Sequence, residues 1–246
     1  MSDPLSFTLV RSIVVTAPLI VLSTSFFGLI SFVWSFFDKT GDAMTRVSRM
    51  WARSICWIAG IKLEVEGLEK IDLTKHYIFT SNHLSYMDTP VVLASIPLEF
   101  RFMAKQELFE IPFLGTHLKR AGHISVPLED PRASIRALSH AARIINERKI
   151  SVLIFPEGGR SEDGELQPFK EGAAYTAIKG GVTVVPVGLC GTRQVLKMHS
   201  LNVRGGKVKV RIGDPIDTSN MKLQDRTPLT EQIREQIVAL SCPSKP

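Results

Sequence analysis

From Ser12 to Phe37 the chain reads SIVVTAPLIVLSTSFFGLISFVWSFF, without one charged side chain. A run of this length crosses the roughly 30 Å hydrocarbon core of a bilayer as a helix. A cleaved leader is the competing reading, but its apolar region would be about 7–15 residues long and end at small residues. Here the run ends Trp34-Ser35-Phe36-Phe37, so it reads as a membrane segment. Pro18 and Gly28 interrupt it, which leaves both a full span and a re-entrant hairpin in one leaflet open.

Directly after it, helical spacing puts Met44, Val47, Met50, Trp51, Ile55 and Ile58 on one face and Arg46, Arg49 and Arg53 largely on another. Periodicity alone fits a helix packed on a protein core as well as one lying in the membrane interface, apolar side down. Adjacency to the apolar run favours the interface. Lys39, Arg46, Arg49 and Arg53 flank the run on its C-terminal side against Arg11 alone on the other, so the rest of the chain is expected on the cytoplasmic face.

Past Gly60, short β-branched runs alternate with helical patterns, which predicts an α/β fold: about seven strands in a mostly parallel or mixed sheet flanked by helices. The expected strands are Lys62–Val65, Tyr77–Thr80, Phe100–Ala104, His123–Val126, Ser151–Phe155, Thr183–Val187 and Lys207–Ile212. The last expected helix begins with Thr227 as cap and Pro228 in its first turn. Residues 1–60 form one expected unit, an N-terminal membrane anchor, and 61–246 a catalytic domain.

The net charge of +6 suits an anionic membrane surface or a phosphorylated substrate. No basic cluster interleaved with aromatics, RNA-binding signature or basic tail accompanies it, so nucleic acid is not an expected partner. Three cysteines, Cys56, Cys190 and Cys242, lie far apart in no paired spacing, which reads as a reducing compartment without a structural metal.

Two stretches carry chemistry, each straight after an expected strand, where open α/β sheets present ligands. The first is N-H-L-S-Y-M-D, Asn82 to Asp88. Five residues of regular helix turn about 140°, so His83 and Asp88 meet only if the histidine sits in the turn and the aspartate opens the helix. They are then either a base with its orienting carboxylate, or a polar loop residue beside a helix-terminal acid. The second is F-P-E-G-G-R-S, Phe155 to Ser161: Gly158 and Gly159 let backbone amides approach a ligand, Arg160 offers a fork for phosphate, and Glu157 offers an acceptor for a substrate hydroxyl. Its plain alternative is a turn that ends a strand. Lys105, after another strand, is a further candidate phosphate contact. In V-V-P-V-G, Val184 to Gly188, the proline and glycine are expected to end a strand beside the pocket.

Together these blocks, in this order, resemble the glycerolipid acyltransferases: N-H-L-S-Y-M-D is similar to their N-H-x4-D signature, F-P-E-G-G-R-S to F-P-E-G-T-R-S, and V-V-P-V-G to a V-P-V-G block. The likeness covers roughly residues 61–212 and is greatest to members that acylate 1-acylglycerol-3-phosphate to phosphatidic acid. It implies His83 as general base with Asp88 its partner, and Glu157, Gly158, Arg160 and Lys105 as substrate-binding residues, with Asn82, Gly122 and Arg120 as further candidates. The donor it implies is acyl-CoA or acyl carrier protein, used as co-substrate, with no resident cofactor or metal. The implied partners are membrane lipids and a lysophospholipid.

The family's second block places an arginine where this chain has Leu128; Lys105 and Arg160, or Lys119, Arg120 or Arg132, are left to hold a phosphate. The same departure leaves another lysophospholipid or a lyso-aminolipid open as acceptor. Outside the family, a lipid-binding protein without turnover and a metal-dependent hydrolase using His83 and Asp88 as ligands are the rival readings.

Overall fold

The computed structural model describes residues 7–242; 1–6 and 243–246, the outer ends of the two expected units, lie outside the described residues. Seven strands form one sheet: β1 (Ile61–Glu66), β2 (Ile78–Ser81), β3 (Phe100–Lys105), β4 (Ile124–Val126), β5 (Ser151–Ile154), β6 (Val184–Cys190) and β7 (Gly206–Ile212). Their order is β1-β7-β6-β2-β5-β3-β4, and every neighbouring pair is parallel except β6 with β7. The mixed α/β sheet expected from the sequence is therefore the one observed.

The flanking helices are α1 (Phe7–Trp34), α2 (Asp42–Ile58), α3 (Asp88–Ser95), α4 (Leu114–Arg120), α5 (Pro131–Arg148), α6 (Gly172–Gly180) and α7 (Arg226–Leu240). Alternate residues of the central strands feed two cores. Phe79, Leu153, Val185 and Val187 pack with α2 and α3 on one face, while Ile78, Val152, Ile154 and Val184 pack with α5, α6 and α7 on the other. Strands covered on both faces show near-continuous apolar runs, which is why residues 152–154 of β5 and Val184–Cys190 of β6 stand out in the sequence.

Four details differ from expectation. Met44, Val47, Ala52, Ile55 and Cys56 are buried, so the apolar face of α2 packs on protein where the sequence placed it on lipid. The buried Arg101 guanidinium of β3 reinforces this, donating to Thr45 Oγ1 at 2.7 Å and pairing with Asp42 Oδ1 at 2.6 Å. Strand β6 continues through Pro186 and Gly188: the Pro186 carbonyl accepts the Gly213 N–H at 2.7 Å, and a Cβ on Gly188 would stand 2.5 Å from Leu240, so the glycine is there to admit the end of α7. Helix α7 begins at Arg226, and Thr227 donates to Glu171 Oε1 at 2.6 Å instead of capping. Finally, Cys190 and Cys242 form a disulfide, tying β6 to the segment after α7, while Cys56 stays free and burial pushes its thiol up to about 11. The wide spacing of the cysteines conceals this pair, and with two of the three paired they do not argue for a reducing compartment.

Helix α1 is long and apolar enough to cross a membrane. It lies against the domain by its hydroxyls. Ser12, Thr16 and Ser31 are its buried residues, whereas Val14, Leu22, Phe26 and Leu29 are exposed. Ser12 Oγ bonds Val203 at one end, Trp51 Nε1 donates to Thr24 Oγ1 at 3.0 Å midway, and Arg120 donates to Ser35 Oγ at 2.7 Å just past the other end. A π-turn over Ser12–Thr16 precedes Pro18, where the missing N–H falls in the first turn of the helix that follows.

Candidate active site

Because β2 and β5 are parallel neighbours, with Phe79 opposite Leu153, the loops after their carboxyl ends emerge side by side although far apart in sequence. His83 lies in the turn after β2 and Asp88 is the first residue of α3. His83 Nδ1 and Asp88 Oδ2 are 2.9 Å apart. The same oxygen accepts the Leu84 N–H at 2.6 Å and the Ser85 N–H at 2.8 Å, and Asp88 is wholly buried. A carboxylate facing three N–H donors holds the proton of His83 on Nδ1, leaving Nε2 as the basic atom.

Among the described residues Nε2 has no hydrogen-bond partner, while the ring stacks on Phe155 with centroids 3.8 Å apart. Burial lowers the pKa of His83, opposed by the hydrogen bond and charge of Asp88. The imidazole is thus neutral at physiological pH and able to take a proton.

Two of the expected site residues hold the loop. Glu157 Oε1 accepts the His83 N–H at 2.6 Å and Oε2 accepts the Gln167 N–H at 2.8 Å, so both oxygens are engaged by backbone where the sequence offered them to a substrate hydroxyl. Burial raises this carboxyl to about 7 against those amide bonds. Asn82 is a two-way clamp on β6: its amide donates to the Leu189 carbonyl at 3.0 Å and its oxygen accepts the Leu189 N–H at 2.8 Å. The Ser85 hydroxyl donates to the Leu196 carbonyl at 2.7 Å.

Beside the dyad, Gly158 adopts φ +75°, a conformation that suits glycine. The amides of Gly159 and Arg160 have no acceptor among the described residues. Arg160 Nε donates to the Ser85 carbonyl at 3.3 Å and its guanidinium lies 4.7 Å from the Tyr86 ring centre. The Lys105 ammonium stands 3.9 Å from where a Cβ on Gly159 would lie, and the Lys170 ammonium 3.0 Å from the same point on Gly158. Lys170 was missed from sequence. Its backbone N–H bonds the Pro156 carbonyl at 2.8 Å, a contact between the Phe155–Ser161 stretch and a lysine beyond it that no local pattern signals.

The remaining candidates lie elsewhere. Arg120 is committed to α1, bonding Ser35 and covering the Phe36 ring at 4.7 Å. Gly122 and Lys119 border a separate cavity with Arg148, and Arg132 occupies the start of α5, where Asp130 accepts its N–H at 2.9 Å.

The Acyltransferase family model matches residues 62–190. The chain is 34% identical over 166 residues to a 1-acyl-sn-glycerol-3-phosphate acyltransferase of Limnanthes alba, a match covering 68% of this chain and 58% of that protein. To the protein of the same name from Borreliella burgdorferi it is 32% identical over 182 residues, covering 74% and 72%. The crystal structure of the 1-acyl-sn-glycerophosphate (LPA) acyltransferase PlsC from Thermotoga maritima shares the fold with a TM-score of 0.77 at 25% identity, over 94% of this chain and 95% of that one. The matched segment thus spans a little over half of the Limnanthes protein and nearly all of the Thermotoga one. With the Asn82–Asp88 and Phe155–Ser161 blocks brought together at the carboxyl ends of neighbouring strands, the chain belongs to the acyltransferase family.

Proposed function

We propose that the protein transfers an acyl group from a thioester to the free hydroxyl of 1-acylglycerol-3-phosphate, giving phosphatidic acid. The observation that carries this reading is the unpartnered Nε2 of His83, oriented by Asp88 through Nδ1 and set beside a turn with two unpaired amides and three cations. The relatives' names supply the same acceptor.

In this mechanism Nε2 removes the hydroxyl proton as the oxygen attacks the thioester carbonyl, and Asp88 stabilises the imidazolium that forms. The amides of Gly159 and Arg160 hold the oxyanion of the tetrahedral intermediate. Its collapse breaks the C–S bond and expels a thiolate, whose conjugate acid has a pKa near ~8.5, so departure needs little acid assistance. The engaged Ser85 hydroxyl takes no part, and no acyl-enzyme is needed.

Lys105, Lys170 and Arg160 supply the positive charge for the acceptor's phosphate, in place of the arginine absent at Leu128. The exposed apolar face of α1 enters the membrane while its hydroxyl face stays on the domain, which keeps the dyad near the membrane surface; the basic flank Lys39, Arg46, Arg49 and Arg53 favours the cytoplasmic side. The donor is acyl-CoA or acyl carrier protein.

Thiol release by the reconstituted protein tests the reading, crossing both donors with phosphorylated and unphosphorylated lysolipids. Turnover that requires the phosphorylated acceptor and disappears in His83→Ala is expected. Turnover on an unphosphorylated lysolipid alone would move the acceptor class, and none at all would leave a lipid-binding protein.

A further inference from the structure

An apolar cavity of about 720 Å³ lies between α1, α2 and the site face, within the usual size range of ligand pockets. Phe27, Met44, Val47, Trp51, Leu93 and Phe102 form much of its wall. Thr89, which follows Asp88, also borders it, and Phe102 is stacked on Phe155, which is stacked on His83. The Phe155 and Phe102 rings therefore stand between His83 and the cavity.

Set into this apolar wall are two histidines, His117 and His123, with ring centres 5.9 Å apart. His117 is satisfied. The Ser31 hydroxyl donates to its Nδ1 at 2.8 Å; Ser48, whose own proton goes to the Met44 carbonyl at 3.0 Å, accepts from Nε2 at 3.4 Å.

His123 is not. Its Nδ1 accepts the Phe102 N–H at 2.9 Å, and desolvation first, with His117 and Arg101 adding to it, drives its pKa down to about 3. A neutral imidazole whose Nδ1 accepts must carry its proton on Nε2. That N–H has no acceptor among the described residues. The ring also borders a second cavity, lined by Glu110, Lys119 and Arg148, but it stands between Phe102, 5.7 Å away, and His117, both walls of the apolar one.

We propose that the apolar cavity takes a hydrocarbon chain and that His123 Nε2–H donates to an uncharged oxygen on it, selecting a chain with a hydroxyl or keto group over a plain chain of equal length. This rests on the acyl-transfer reading above. An unpaired donor on an apolar cavity wall favours whatever acceptor reaches it, and an uncharged one avoids the cost of carrying an ion into apolar surroundings.

The test uses the reconstituted enzyme and thiol release. Acyl-CoA donors of one length, plain or bearing a hydroxyl or keto group at successive positions, are competed; in a second arm the oxygen is on the resident chain of the lysophosphatidate. At one position wild type should prefer the oxygenated chain by about tenfold, the worth of one uncharged hydrogen bond. The responding arm identifies which chain fills the cavity. In His123→Asn the preference should vanish, because Asn Oδ1 can keep accepting the Phe102 N–H while nothing reaches the place of Nε2. No discrimination in wild type at any position would overturn the proposal, with the donor then satisfied by water or facing the second cavity; so would discrimination that survives in His123→Asn. Wild type is decisive even if the variant does not fold. Transfer without discrimination removes this inference alone, whereas absence of transfer from every donor removes the acyltransferase reading with it.

Discussion

The carboxylate of Glu157 accepts the backbone N–H of His83 at 2.6 Å across 74 positions of chain. Through that bond the turn after β5 sets where the histidine after β2 stands, and the two most distinctive stretches of the sequence act as one part. Glu157 therefore acts through His83, as a positioning residue.

Replacing it with glutamine leaves one acceptor for two amide donors, His83 N–H and Gln167 N–H. The loop relaxes, and kcat is expected to fall by about 10- to 100-fold, the scale of a misplacement near 1 Å, with little change in KM. Stability carries its own signature. With its folded value raised to about 7 from 4.5, the folded protein holds this proton more tightly than the unfolded chain. Its contribution is fully present below about 4.5 and is lost as pH rises through about 7. Thermal melts across that window should show the slope in wild type and lose it in Glu157→Gln.

Asp88→Asn keeps an oxygen for the three donors that meet at Oδ2 but removes the charge. Turnover should drop by about 10²–10⁴, the range for loss of general acid–base function, with His83→Ala at least as severe. In wild type the acid limb of the kcat/KM profile should lie below the ordinary histidine value of 6.5, because burial outweighs Asp88. In the variant it should move lower still, since the contribution that raises the pKa is gone; a limb at higher pH would contradict this.

Asn82→Ala strands both the N–H and the C=O of Leu189 inside the protein. Each costs about 1–3 kcal/mol, so the melting temperature should fall by several degrees at least, with activity following the folded fraction. An unchanged melting temperature with a raised KM would instead put Asn82 on the substrate.

Lys105→Gln and Lys170→Gln should each raise KM for a phosphorylated acceptor, and more at low ionic strength, where charge is less screened. Both should leave kcat for that acceptor and the kinetics of an unphosphorylated one nearly unchanged. Steady-state kinetics at two salt concentrations distinguishes this from a general loss of activity.

The Cys190–Cys242 disulfide closes a loop spanning 52 positions. Its reduction, or Cys190→Ala, should lower stability by about 2–4 kcal/mol, visible as a lower melting temperature in reducing buffer that the variant no longer shows.

The strands and both site loops were legible in the sequence because doubly covered strands write continuous apolar runs and loops carry Gly, Pro and His at fixed offsets. The bearing of α2 was not: Met44, Val47 and Ile55 repeat alike whether they meet lipid or protein, and only their burial in the fold decides. Long-range clamps were equally silent. Asn82 to Leu189 and Glu157 to His83 join a side chain to a distant backbone group, and such a bond imposes no spacing on either partner. Its motif alone offered Glu157 to a substrate hydroxyl, because a motif marks proximity to the chemistry and not the direction a side chain takes.

Helix α1 is fastened to the domain near Val203 at one end and near Arg120 at the other, with serines turned inward and greasy residues outward. Under the proposed function, the part that touches lipid and the part that does chemistry are joined as one piece, and the height of His83 above the hydrocarbon is a built-in dimension. A lipid acceptor then has no need to be lifted clear of its leaflet before reacting. Every methylene that stays in the bilayer spares about 0.8 kcal/mol of extraction, which for a long chain is the difference between waiting for a rare escaped molecule and working on the lipid where it lies.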